Sequence, residues 1–407
     1  MRTTIELGEV AAFNWDALRS EEHFLFRRIA DHDRSVLAIG MKEELVAPGF
    51  DAQGCATDWV FGALRYEWKD ELFHASPTDP ANARWWIPRL VVEWRGKNVS
   101  LHVHQDEVER SLKWCKDAFQ DRRSGTYATP SIHWRSHTTK AEYIRRTQQL
   151  LAHIQRGDIY EVNYCTTRSA SVPEFDPFLS FETLLSRSQA PFAAFHRRNE
   201  AFALCASPER YLAFDHRRVV GEPMKGTRPR HADPEQDRRA AEELATDAKE
   251  RSENIMALDV MRNDLSRIAA TRSVRVEELC AVRSYQRVHQ MVSTVSAEMR
   301  NDLTPMDVLR ASFPMASMTG APKRRAMELI QDVEEGPRGP FSGSLGFFDP
   351  YGTGDFNVVI RTVLFNAANG SLSLTTGSAI TAQCDPESEY EECQVKARSV
   401  IEALCHA

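Results

Sequence analysis

Strands and helices follow one another along this sequence without a repeating strand-helix-strand rhythm, and that irregularity constrains the fold most. A doubly wound parallel sheet needs regular alternation, so unevenly mixed elements predict an α+β architecture. Residues 1–136 read as a strand-rich N-terminal segment full of tryptophan, including the alternating run Leu90-Val-Val-Glu-Trp94. Turn residues mark a loop over 76–82, and 121–136 reads as a polar connector. The pattern changes near residue 137, which predicts a second unit over 137–407.

In that unit Tyr143, Thr147, Leu150, Leu151 and Ile154 recur at helical spacing, and Gly157 stops the helix. Tyr160, Val162, Tyr164 and Thr166 then alternate, which predicts a strand with Glu161 and Asn163 on its other face. Long helices are predicted over 234–270 and 386–405, and a strand over 356–363.

Charge removes some functional classes. With 51 Lys and Arg against 58 Asp and Glu the net charge is −7, so the footprint of a nucleic-acid binder is missing and any bound anion must meet locally placed cations. No uncharged apolar run approaches the roughly 18 residues of a spanning helix, and no apolar stretch follows the first residues as in a secretory signal. Eight scattered cysteines without a C-x-x-C pair read as reduced thiols. A cytoplasmic protein, bound neither to membrane nor to nucleic acid, is expected.

Two predicted helices each carry acids at i, i+3: Glu250 with Glu253, and Glu389 with Glu392. Each pair projects from one helix face. On the second helix Asp385 is the predicted N-cap and Pro386 the first helical residue. There the acids and Lys396 fall roughly 90° from the apolar stripe, at its border with water. Such pairs are more often a solvated acidic face, but a divalent cation with oxygen ligands would also account for them.

Lys225 lies in the broken segment Gly221-Glu-Pro-Met-Lys-Gly-Thr-Arg-Pro-Arg230. It reads either as part of a basic surface turn or as a nucleophile, the latter needing its pKa lowered from about 10.4 toward 7 or 8. Glu209 follows a strand and is either inert or a general acid. His289 alternates with hydrophobes, the usual setting of a satisfied structural histidine. Arg361 could clamp a carboxylate or pair with an acid.

Taken together and in order, the motifs resemble the chorismate-utilising enzymes: the anthranilate, aminodeoxychorismate, isochorismate and salicylate synthases. The matching stretches include Gly157-Asp-Ile-Tyr-Glu-Val-Asn163, Ser207-Pro-Glu-Arg210, Pro223-Met-Lys-Gly-Thr-Arg-Pro-Arg230, Glu250-Arg-Ser-Glu-Asn254, Val288-His-Gln-Met-Val-Ser-Thr-Val295, Thr319-Gly-Ala-Pro-Lys323, Ile360-Arg-Thr362 and Asp385-Pro-Glu-Ser-Glu-Tyr-Glu-Glu392. The resemblance implies two central packed β-sheets flanked by helices, with 137–407 as the chorismate-binding catalytic part. It implies that Glu250, Glu253, Glu389 and Glu392 surround a Mg²⁺ on the ring carboxylate of chorismate. Arg361 would hold the enolpyruvyl carboxylate, with Thr227, His289, Thr319, Gly377 and Lys396 as further substrate contacts.

Within the family, aminodeoxychorismate synthases carry a lysine before Gly-Thr, as this chain does at Lys225, where anthranilate synthases carry alanine. Water-adding members place a lysine base at the position of Glu161 instead. The implied chemistry is attack of Lys225 on ring C2, departure of the C4 hydroxyl with a proton from Glu209, and addition of ammonia at C4 with release of the lysine. An anthranilate synthase component I is the alternative. No glutaminase-like Gly-x-Cys-x-Gly elbow is present, so ammonia is expected from a separate glutamine amidotransferase subunit. Glu161 departs from the usual glutamine, Phe341 from a tyrosine and Ala379 from a glycine.

Overall fold

Strand His23–Ile29 is apolar on both faces, and both faces are used. Phe24 and Phe26 enter one core with Leu37, Ile39, Leu90 and Val92, while Leu25 and Ile29 join Val36, Ala38 and Val91 in another. Successive strand residues point to opposite faces, so the consecutive hydrophobes Phe24, Leu25 and Phe26 mark a sheet covered on both sides. The second of these cores also takes Phe61, Trp86, Leu345 and Phe347 from a different sheet, which makes it the seam between two packed sheets.

The computed structural model describes residues 2–10, 12–68, 82–120 and 132–404. The predicted loop over 76–82 lies outside these except for Asn82, as do residues 121–131 of the predicted connector. The first sheet has twelve strands, all pairing antiparallel. It runs from Arg2–Glu9 through Asn98–His104, Leu90–Arg95, Arg34–Ile39 and His23–Ile29 to Ala194–Arg198. It continues through Ala201–Cys205, Thr362–Asn366 and Ser371–Thr381 to Glu161–Ser171. The second, of ten strands, holds Met224–Pro229, Val288–Glu298, Arg218–Gly221, Arg210–Asp215 and Thr353–Asn357 in neighbouring order. Helices cover the outer faces: Pro177–Ser188 and Pro386–Leu404 pack on the first sheet, and Ala248–Ser266 with Pro305–Ser312 on the second. The α+β expectation and the pair of central sheets both hold.

The helix expected from the spacing of Tyr143 to Ile154 forms as Lys140–Gln155, and the C-terminal one expected over 386–405 as Pro386–Leu404. Three expectations need correction. The long helix over 234–270 is two helices, Pro234–Thr246 and Ala248–Ser266, divided at Asp247. Asp247 has extended backbone, and its Oδ1 accepts the N–H of Glu250 at 3.1 Å, so a side-chain cap outcompetes helix continuation. The strand over 356–363 is likewise interrupted. Thr353–Asn357 belongs to the second sheet and Thr362–Asn366 to the first, and Arg361 turns the chain between them with φ of 50°. Finally, Lys225 lies on a strand of the second sheet rather than on a surface turn.

Buried ion pairs cross between the sheets. Arg27 pairs with Asp355 at 2.5 Å, while Arg210 reaches Asp355 at 2.8 Å, Glu222 at 2.6 Å and Asp31 at 2.7 Å. Removing one partner from such a set strands a buried charge, at a cost of about 3–5 kcal/mol. All seven described cysteines are free thiols. No described helix is long and apolar enough to cross a membrane.

Candidate active site

Lys225 sits where the two sheets approach each other. Its strand pairs with Val288–Glu298 in a register that slips between Lys225 and Thr227, so Lys225 faces Met291 and Thr227 faces Gln290. Gly226 is the extra residue, at φ +75°, and a Cβ there would lie 2.9 Å from Glu250 Oε2 and from Leu244 Cδ1. This bulge re-aims the lysine. The ammonium donates to Glu161 Oε1 at 2.7 Å and lies 3.9 Å from Glu253 Oε2. Burial alone would lower its pKa. The charges of Glu161, Glu253 and Glu392 overcome that and raise it well above the usual lysine value. These neighbours favour the protonated form over the uncharged amine expected of a nucleophile; they are anions, not the cation that would have lowered its pKa.

Glu209 lies between strands Ala201–Cys205 and Arg210–Asp215 and is buried. Burial pushes its carboxyl up to about 7, against the opposing pull of the Ser317 hydroxyl, Lys225 and Lys396. Near neutrality it is poised to hold a proton. Its neighbour Arg210 is fixed by three carboxylates from three separate stretches of chain.

Both acid pairs occupy the expected helices. Glu253 and Glu389 are buried, and Glu250 and Glu392 are partly exposed. Burial raises the pKa of Glu250, Glu389 and Glu253, the last to about 7, with further upward pushes from Asp247 and Glu392 on Glu250, from Glu392 on Glu389, and from Glu161 and Glu250 on Glu253. Glu392 goes the other way: burial raises it, but Lys396 at 2.6 Å wins and lowers it. Among the described residues no three acids stand together as a metal-ligand group. Lys249 lies between the helices instead, 3.2 Å from Glu389 and 3.8 Å from Glu253, as an internal counter-ion. Glu253 Oε1 is nevertheless buried without a hydrogen bond.

The remaining expected contacts divide. Lys396 Nζ donates to the Gly377 carbonyl at 2.9 Å, which brings those two together beside Glu392. A Cβ at Gly377 would lie 2.5 Å from Asn163 Oδ1 and Cys165 Sγ, so any side chain there would have to displace them. Arg361 has only burial acting on its guanidinium, which lowers the pKa. Two side chains are committed elsewhere. His289 uses both ring nitrogens, with Ser284 at 2.8 Å and Asp237 at 3.0 Å. The Thr319 hydroxyl donates to Met315 and Ala316 carbonyls, and Thr319 is fully buried.

Sequence reasoning overlooked Lys249 and Gln290. Lys249 stands four residues before Glu253, a spacing that puts the two on one helix face. Gln290, opposite Thr227, buries an Oε1 that has no hydrogen-bond partner; nothing in its sequence context marks it.

Comparison with known proteins shows the family and the fold. The model of the chorismate binding enzyme family matches residues 17–402. Aminodeoxychorismate synthase component 1 of Salmonella typhimurium is 38% identical over 315 residues, covering 77% of this chain and 68% of that protein. Anthranilate synthase component 1 of Thermus thermophilus is 38% identical over 297 residues, covering 73% and 63%. Among solved structures, the menaquinone-specific isochorismate synthase of Escherichia coli superposes with a TM-score of 0.80 at 16% identity, covering 99% of this chain and 95% of that one.

Proposed function

The chain belongs to the chorismate binding enzyme family, and from that premise we propose that it aminates chorismate at ring C4 to give 4-amino-4-deoxychorismate, as aminodeoxychorismate synthase component 1 does. The observation that carries this reading is Lys225: a buried amine, hydrogen-bonded to Glu161, whose charge reaches Glu209.

The residues divide the work. Lys225 must first lose a proton, and Glu161 Oε1 at 2.7 Å is the acceptor at hand. The free amine forms a bond to C2 as both conjugated ring double bonds shift, C1=C2 to C6=C1 and C5=C6 to C4=C5, and the C4–O bond breaks. Glu209, protonated below about 7, gives its proton to the departing hydroxyl, which leaves as water. Ammonia then bonds to C4, both double bonds return to C5=C6 and C1=C2, and the C2–N bond to Lys225 breaks. Lys225 and Glu209 thus regain their starting states after proton return. The enolpyruvyl group stays on the ring, so no aromatic product forms at this site.

Mg²⁺ fits the acids present. Glu250, Glu253, Glu389 and Glu392 offer the hard oxygen donors it prefers, the buried Glu253 Oε1 has no hydrogen-bond partner, and burial, with neighbouring acids adding to it, raises the carboxyl pKa of Glu250, Glu253 and Glu389. When bound it supplies charge neutralisation and orientation for the ring carboxylate. Lys249, beside Glu253 and Glu389, holds part of that charge balance, and Lys396 and Thr227 line the ring's surroundings. Ammonia comes from a glutamine amidotransferase subunit, and the free thiols accord with a cytoplasmic setting.

Chromatography of the products from chorismate, Mg²⁺ and an ammonium salt tests the reading. Aminodeoxychorismate without pyruvate release is expected. Anthranilate plus pyruvate would overturn it.

A further inference from the structure

Arg361 and Pro208, next to Glu209, line a cavity of about 540 Å³, a size that suits a small organic ligand. Its walls come from the end of helix Pro177–Ser188, the turn at 285–288 before strand Val288–Glu298, and the last turns of helix Pro386–Leu404. The charged groups on these walls are Arg187, Arg287, Arg361 and Glu402. Arg187 is tied down, donating to the Glu402 carbonyl at 3.1 Å.

Arg287 differs from the arginines around it. Arg230 pairs with Asp237 at 2.8 Å, and Arg283 with Glu222 and Glu278 at 2.6 Å each. Arg287 is exposed, and among the described residues no carboxylate lies within ion-pair distance of it. Its backbone is nonetheless anchored, since the Arg287 carbonyl accepts the Arg230 N–H at 3.0 Å. The cavity therefore has an unpaired cation on its rim and another, Arg361, inside.

A chain of net charge −7 repels a dianion at long range. A cleft with cations in low-dielectric walls reverses the sign locally and can raise association rates by about 10- to 1,000-fold. We infer that this cavity is the entry path of the anionic substrate, with Arg287 the rim cation that first meets a carboxylate and Arg361 the one that receives it within. The inference rests on the reading of the site as one for a dicarboxylate. It adds the route and a residue whose part is in capture, not in bond making.

The test measures the association rate of chorismate by stopped-flow tryptophan fluorescence, and kcat/KM, from about 0.01 M to 1 M salt, where the screening length falls from about 30 Å to 3 Å. Arg287→Gln should associate several-fold more slowly at low salt, Arg287→Glu more slowly still, and Arg287→Lys at close to the parent rate, with the differences closing at high salt. Arg324→Gln, on a distant exposed helix position paired with Glu328, should keep the parent's salt dependence. Parent-like rates and salt slopes for both Arg287→Gln and Arg287→Glu would overturn the entry path while leaving the chemistry of the site intact. A parent protein that binds no chorismate at any salt would overturn the reading of the site itself.

Discussion

Lys225 and Glu161 join the two sheets at the centre of the site: a strand of the second sheet supplies the ammonium, a strand of the first the carboxylate, and 2.7 Å separates them. The bond holds the amine in place and protonated. Nucleophilicity is thus something this pocket has to release, and the release depends on the acids around it.

Lys225→Ala removes the attacking atom, and Lys225→Arg keeps the charge without a usable nucleophile. Both should lower the amination rate by at least about 10³-fold, in the range expected when covalent and acid-base contributions are lost. Isothermal titration should still detect chorismate binding with Mg²⁺ present. A rate within tenfold of the parent would refute the covalent route.

Glu161→Gln deletes the first of the charges that raise the lysine pKa and leaves burial opposed only by Glu253 and Glu392, which lowers it relative to the parent. The amine is then free at lower pH, so the rising limb of the pH–rate profile should shift toward acid. A limb that stays put, or moves toward alkali, would show that Glu161 does not govern the protonation of Lys225.

Glu209 gives the opposite limb. Its carboxyl, raised to about 7, is protonated below that pH and ionised above it. A proton donor fails when ionised, so the rate expressed per free ammonia should decline as pH rises through about 7. Glu209→Gln should cost about 10²- to 10⁴-fold and abolish the decline. If the variant retains the same alkaline limb, another group is the donor.

Glu253 links pH to stability. Its folded pKa of about 7 exceeds the roughly 4.3 of an unfolded glutamate, so between these values the folded chain binds more protons than the unfolded one. Without metal, stability should therefore be highest at the acid end of that window and fall as pH rises through it. Glu253→Gln should be more stable than the parent at pH 8 in chelator, by at most about 4 kcal/mol, and melt correspondingly higher, and Mg²⁺ should stabilise the parent more than the variant. Matching melting curves at pH 5 and pH 8 for both proteins would contradict this.

Gly226→Ala meets two obstacles, a left-handed backbone and a Cβ 2.9 Å from Glu250 Oε2. The backbone term alone is about 1–2 kcal/mol. The variant should lose activity more than stability, because relief requires Glu250 or Lys225 to move. Parent-like kcat/KM would mean the bulge does not aim the lysine.

Much of the site was legible from local spacing. The i, i+3 acids lie on one face whatever surrounds the helix, and Ser207-Pro-Glu209 follows an apolar strand that ends where expected. What escaped depends on distant chain. The protonation of Lys225 is set by a glutamate far away in sequence, on the other sheet. Asp247 divides two helices because its carboxylate reaches the Glu250 N–H, a local competition hidden in a run of helix formers. Arg361 reads as mid-strand from its hydrophobic neighbours, yet its left-handed backbone carries the chain from one sheet to the other. His289 is held by Asp237 and Ser284, the satisfied arrangement that alternation with hydrophobes usually signals.

Strand His23–Ile29 pairs on one side with Arg34–Ile39 and on the other with Ala194–Arg198. During synthesis its first neighbour emerges from the ribosome at once, the second only much later, so a phenylalanine-rich border with open amides waits in the interval. The nascent chain is consequently a natural client for chaperones, and slowing translation ahead of residue 194 should lower the soluble yield without altering the finished enzyme.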